Sequence, residues 1–181
     1  MFSLGCPWAA QFFIFGKWGT VGQKVEKSGY LCQAVFLFGE YSARLDAKRR
    51  FVLPSALLSL LPEGNRTDFV LQRAPDPCLW LYPLSVWKSE LEKIHEKINL
   101  FTPEGRNFAR LFQSGAQPVS LDTANRLVLP KPFCDYAGIA AEIILLGMKD
   151  RIEIWAQEPY ERWKSQHEAH LSEWTQRFLG T

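Results

Sequence analysis

Apolar and polar positions alternate through Tyr41, Ala43 and Leu45, give way to the polar run Asp46 to Arg49, and resume in the short β-rich run Phe51-Val52-Leu53. A period of two, a turn-like stretch and a second extended run predict a β-hairpin. Pro54 follows, and proline at a first helical position gives up only an amide that would be unpaired anyway. A helix over Ser55 to Leu61 is therefore expected, stopped by Pro62 and Gly64, with strands to follow at Asp68 to Arg73 and Cys78 to Tyr82. The spacing then changes to three and four. Leu84, Trp87, Leu91, Ile94 and Ile98 recur on one face, with Lys88, Glu90, Glu92, Lys93 and Glu96 on the other, which predicts an amphipathic helix. Phe108, Leu111 and Phe112 mark a shorter helix between Pro103 and Gly115. Towards the C-terminus, Tyr160, Trp163, His167, Leu171, Trp174 and Phe178 form an aromatic stripe at helical spacing, read as a packing surface of one helix.

The pattern occurs twice. Gly39 to Pro54, GEYSARLDAKRRFVLP, and Gly115 to Pro130, GAQPVSLDTANRLVLP, share Gly, Leu-Asp, Arg and Val-Leu-Pro at a constant offset of 76 residues. Phe69-Val70-Leu71 with Leu79 to Tyr82 is answered by Ile143-Ile144-Leu145 with Ile152 to Trp155. The second copy has a shorter helix after Pro130 and Pro132, ending at Gly138, and strands near Glu142 to Leu146 and Arg151 to Trp155. Each unit reads β-β-α-β-β over roughly 45 residues, too few to bury a good core alone. Two units must share one core by pairing or swapping strands, as an internal pseudo-dimer. The fold class is thus α+β, mainly β.

Composition narrows the classes. The chain carries 21 Lys and Arg against 19 Asp and Glu, and the surplus sits in Lys17, Lys24 and Lys27 against Glu26. Residues 39–181 balance at 18 against 18, so a polyanion site must be a local patch rather than a basic surface. No apolar run is long enough for a membrane helix. Cys6, Cys32, Cys78 and Cys134 are scattered without a C-x-x-C pair, which suits a reducing interior and argues against a zinc knuckle or a disulfide scaffold. Residues 1–34 show no sustained periodicity, and no basic segment precedes the apolar stretch Ala9 to Phe15 as in a signal peptide. They are expected to be a flexible extension or the product of an over-long start.

The doubled Leu-Asp-x-x-x-Arg-x-x-Leu-Pro, with Gly39-Glu40-Tyr41 ahead of it, resembles the MraZ family of bacterial transcriptional regulators. Cys78 to Pro83, Phe112-Gln113-Ser114-Gly115-Ala116, Tyr136-Ala137-Gly138 and Ile152 to Trp155 extend the resemblance over about Gly39 to Trp163. It implies AbrB-like (SpoVT type) swapped-hairpin units at 40–87 and 117–160, forming an intramolecular pseudo-dimeric barrel, with a helical linker at 88–114 and a C-terminal helix at 161–181. It further implies a cytoplasmic, nucleoid-associated homo-oligomeric ring. That ring would bind double-stranded DNA at short direct repeats in the promoter of the division and cell-wall operon containing its own gene, as a repressor, with no cofactor, metal or small-molecule substrate and no membrane. The family's pattern places glycine just before the motif Arg, where this chain has Arg49 and Asn125. A left-handed backbone there costs Arg roughly 1 kcal/mol, so a different turn is expected in the first copy.

Lys48, Arg49 and Arg50 form a basic run at the turn, with Arg44 on the preceding strand; the second copy offers Arg126, with Lys131 nearby and Asn125 as an amide donor. Such groups reach phosphates, and an Arg fork also fits guanine O6 and N7 in a major groove wide enough for a two-stranded ribbon. Asp46 and Asp122 stand where Asp starts a turn by accepting backbone amides, and are read as supports that orient the Arg. The first copy should contribute more of the electrostatic affinity. Two rival readings stand beside this one. An enzyme would need more than His95, the pair His167 and His170, or Ser42 and Ser114, none of which has an identifiable partner set. A ring-forming interaction module without specific DNA binding is the alternative.

Overall fold

The computed structural model describes residues 35–180; the extension expected over residues 1–34 and the last residue, Thr181, lie outside the described residues. The first copy consists of β1 (Glu40–Arg44), β2 (Arg50–Val52), α1 (Ser55–Ser59), β3 (Asp68–Arg73) and β4 (Cys78–Pro83). Two helices follow, α2 (Leu84–Lys97) and α3 (Pro103–Ser114). The second copy repeats the order with β5 (Ala116–Ser120), β6 (Arg126–Val128), α4 (Lys131–Ala137), β7 (Glu142–Met148) and β8 (Arg151–Ala156). The fold is mixed α+β, as the periodicities predict.

Strand pairing departs from the expected hairpins. The strands on either side of each Asp-to-Arg turn do not pair with each other. Instead β1 lies antiparallel on β7, from Glu40 opposite Leu146 to Arg44 opposite Glu142, and β5 lies on β3, from Asp68 opposite Ser120 to Gln72 opposite Ala116. The six-stranded sheet runs β1-β7-β8-β4-β3-β5, and β2 and β6 form a separate two-stranded ribbon. The turn sends its two flanking strands to different layers: the Leu45 amide, leaving β1, already bonds the Ala141 carbonyl of the second copy. Each copy therefore completes the other's sheet, the solution available to units too small for a core of their own. Among the described residues the large sheet is open, with β1 and β5 as its edges, so the expected barrel does not close there.

The ribbon covers the sheet. Phe51, Leu53, Leu127 and Leu129 point inward against Phe69, Leu71, Leu79, Leu81, Ile143, Leu145, Ile152 and Ile154, each at most 1% exposed. Burial of such side chains stabilises by about 1.5–3 kcal/mol apiece.

Helix ends follow local chemistry. α1 begins at Ser55 because Pro54 is extended and acts as the N-cap rather than the first helical residue. Thr102 caps α3 by accepting the Gly105 amide at 3.1 Å. α4 stops at Gly138, whose φ of +64° is the left-handed C-cap that glycine takes freely. The C-terminal stripe does not form one helix: α5 (Gln157–His167) and α6 (Leu171–Leu179) are separated by a 3-10 turn over Glu168–His170. His170, at the end of that turn, stacks on Trp174 one turn into α6 at 5.5 Å; the stack runs Trp163, His167, Trp174, His170, and Leu171 is exposed.

Candidate functional site

The two Asp-to-Arg turns are built identically. Asp46 Oδ1 accepts the amides of Lys48 at 2.8 Å and Arg50 at 2.9 Å, and the Arg49 amide closes on the Asp46 carbonyl at 2.8 Å. Asp122 Oδ1 accepts the amides of Ala124 and Arg126, both at 2.9 Å, and the Asn125 amide closes on the Asp122 carbonyl at 2.9 Å. The residue before each Arg is left-handed, Arg49 with φ +58° and Asn125 with φ +54°. The expectation of a different first turn is thus corrected: the arginine adopts the conformation that glycine would take. Two hydrogen bonds hold it there, since Arg49 Nε donates to the Leu129 carbonyl at 3.3 Å and the Leu129 amide donates to the Arg49 carbonyl at 2.9 Å. In the symmetric position the Leu53 amide donates to the Asn125 carbonyl at 2.9 Å.

Each aspartate also holds its arginine. Asp46 Oδ2 accepts from Arg50 Nε at 2.8 Å, with Nη2 of the same ion pair 2.7 Å away, and Asp122 Oδ2 accepts from Arg126 Nε at 2.7 Å. The guanidinium and amide hydrogen bonds of Arg50 favour the charged carboxylate and pull the Asp46 carboxyl down to about 2, and the Arg126 amide, followed by its guanidinium, lowers Asp122. Both arginines are therefore oriented by a partner that stays ionised. Binding along the Nε side leaves the outer Nη edge of Arg50 for a second, end-on acceptor pair.

The ribbon places these residues on one face. Arg50 stands opposite Val128, Phe51 opposite Leu127, and Val52 opposite Arg126. Exchanging the copies maps the first pair onto the last, with Phe51 and Leu127 on the local two-fold axis. Strand alternation sends Phe51 and Leu127 into the core and turns Arg50, Val52, Arg126 and Val128 outward. The two valines are 55% and 47% exposed, and neither was singled out by the sequence pattern. Their signal was present all the same, because a buried Phe51 and a buried Leu53 force Val52 onto the opposite face.

The other expected residues are distributed around this face. Lys48 is exposed at the turn and makes no ion pair among the described residues. Arg44 closes β1 and pairs with Glu142 at 3.2 Å, which offsets its charge. Lys131 pairs with Asp135 at 2.9 Å on α4. The turns carry four cations, Lys48, Arg49, Arg50 and Arg126, and two carboxylates, Asp46 and Asp122, a local positive excess in a chain that is balanced beyond residue 38. No group of three His, Cys, Asp or Glu gathers as a metal site among the described residues. His95 instead lies 3.3 Å from the Gln113 amide nitrogen, and His167 Nδ1 lies 2.7 Å from the Trp163 carbonyl.

The family described as "MraZ protein, putative antitoxin-like" matches the chain twice, over residues 36–111 and 112–181. The transcriptional regulator MraZ of Clostridium acetobutylicum is 41% identical over 122 residues, covering 67% of this chain and 82% of that protein. The protein of the same name from Cytophaga hutchinsonii is 34% identical over 147 residues, covering 80% and 95%. That of Thermus thermophilus is 36% identical over 130 residues, covering 71% and 85%.

Proposed function

This chain belongs to the MraZ family, and on that premise we propose that it is a transcriptional regulator that binds double-stranded DNA through the outer face of the β2-β6 ribbon. The observation that carries the reading is the pair of arginines, Arg50 and Arg126, each fixed by a carboxylate and set on one two-stranded ribbon about a local two-fold axis. A ribbon of that kind fits a major groove, the free guanidinium edges match guanine O6 and N7, and Lys48 and Arg49 at the first turn reach flanking phosphates. Arg44 and Asn125 contribute at the margins. The exchange of β1 and β5 between units 40–87 and 117–160 is read as the AbrB-like swapped hairpin, with 88–114 as linker and the C-terminal helices as a further packing surface.

The reading extends to assembly and target. Exposed apolar side chains on the helices and in the turn between α2 and α3, Leu111, Phe178, Leu179 and Phe101, support association between subunits of a ring. A ring presents several ribbons at once, so weak individual interactions on short direct repeats add through effective concentration when the spacing matches. The proposed target is the promoter of the division and cell-wall operon that includes its own gene, where bound protein excludes polymerase and represses; the protein then works in the cytoplasm on the nucleoid.

The test is binding to a labelled fragment of its own upstream promoter across a salt series. Affinity should fall steeply with salt, and Arg50→Ala and Arg126→Ala should each weaken it by about 1–3 kcal/mol while the oligomer persists. Full promoter affinity in both variants would remove the ribbon from the site, and no preference over unrelated DNA would favour a ring-forming interaction module, a reading to which the same exposed apolar residues lend support.

A further inference from the structure

An antiparallel strand with one face on the core normally turns polar residues to water. On the ribbon that alternation fails at two equivalent positions: Val52 and Val128 lie outward and half exposed. Each is laterally paired with an arginine of the other copy, Val128 with Arg50 and Val52 with Arg126. Side chains directly opposite have Cβ atoms about 4.5–5.5 Å apart, between one and two base steps of about 3.4 Å. The face thus offers, twice over, a fork of charged donors beside a pair of methyl groups. In a major groove the edge of guanine presents O6 and N7, and the apolar group on offer is the 5-methyl of thymine. Phosphates offer nothing to a valine, and the minor groove carries no methyl.

Resting on the DNA-binding reading above, we infer that Val52 and Val128 touch the 5-methyl groups of thymines next to the guanines taken by Arg126 and Arg50. The ribbon then reads thymine as well as guanine, and the local two-fold axis sets the two thymines on opposite strands. Specificity comes from four side chains rather than two, and half of it is apolar and insensitive to salt.

The experiment uses the full chain and a duplex of its own upstream promoter, made either with thymidine or with deoxyuridine throughout, which deletes only the 5-methyl groups. Wild-type protein should bind the deoxyuridine duplex about fourfold more weakly for each recognised methyl group that is removed. In Val52→Ala/Val128→Ala the affinity for the thymidine duplex should drop to that level and the ratio between the duplexes should fall to about one. Val52→Thr/Val128→Thr, which keeps a γ-methyl on each residue, should retain discrimination. Arg50→Ala should bind more weakly yet keep a ratio above one. A ratio that survives in the alanine pair, or a wild-type ratio of one alongside a strong Arg50→Ala defect, overturns thymine reading by the valines and leaves the arginine reading standing. Equal binding to unrelated DNA with no effect of Arg50→Ala overturns the DNA-binding reading, and thymine reading falls with it.

Discussion

At Asp46 one carboxylate does the work of a small scaffold: one oxygen gathers two backbone amides and the other holds a guanidinium. Because the folded state lowers its pKa to about 2 from the ordinary carboxylate value near 3.9, Asp46 contributes stability that is fully present above about pH 4 and is lost as pH falls towards 2. Thermal unfolding of wild type and Asp46→Asn across a pH series should therefore give a constant difference between about pH 5 and 8 that shrinks towards pH 2. A difference unchanged at the acid end would show that the charge on Asp46 is irrelevant to the turn. The roles of Asp46 and Asp122 were legible in the sequence because Asp followed four residues later by Arg is a local arrangement. The backbone of Arg49 was not: its intrinsic preference argues against a left-handed turn, and the two hydrogen bonds to Leu129 that outweigh it come from 80 residues away.

The elements themselves were readable from period and punctuation, their partners were not. Periodicity tells which face of a strand is apolar but says nothing of which strand lies beside it, and sequence neighbours are the natural guess for a hairpin. Here the deciding quantity is shared burial, since β2 and β6 place Phe51 and Leu127 against each other under the sheet. Leu127→Ala should cost about 2–5 kcal/mol in denaturant unfolding. It should also loosen the turn of the first copy, because the Leu53 and Leu129 amides that tie the two turns together flank that pair. Reduced protection at both amides in hydrogen exchange is the expected signature; a reduction at Leu129 alone would mean that the ribbon is not one cooperative unit. The break between α5 and α6 was likewise hidden, as no proline or glycine marks residues 168–170.

For the whole molecule, exchange of β1 and β5 means that neither copy is a domain in the ordinary sense. A chain of residues 35–111 alone lacks the partners of β1 and β2 and should not unfold cooperatively as a monomer; light scattering and circular dichroism should find it either unstructured or as a dimer that restores both layers. A folded, cooperative monomer would contradict the shared core. The duplication was plain in the sequence because its residues recur at a fixed interval; the open sheet was not, because closure depends on how β1 and β5 end up in space. One property follows from joining the copies in a single chain. Two identical subunits around a two-fold axis must carry the same residues at both ends, whereas a tethered pair is free to diverge. This ribbon has Lys48 and Arg49 at one corner and Ala124 and Asn125 at the other. It has a heading, and a molecule with a heading can be laid head to tail along a track whose repeats all point the same way.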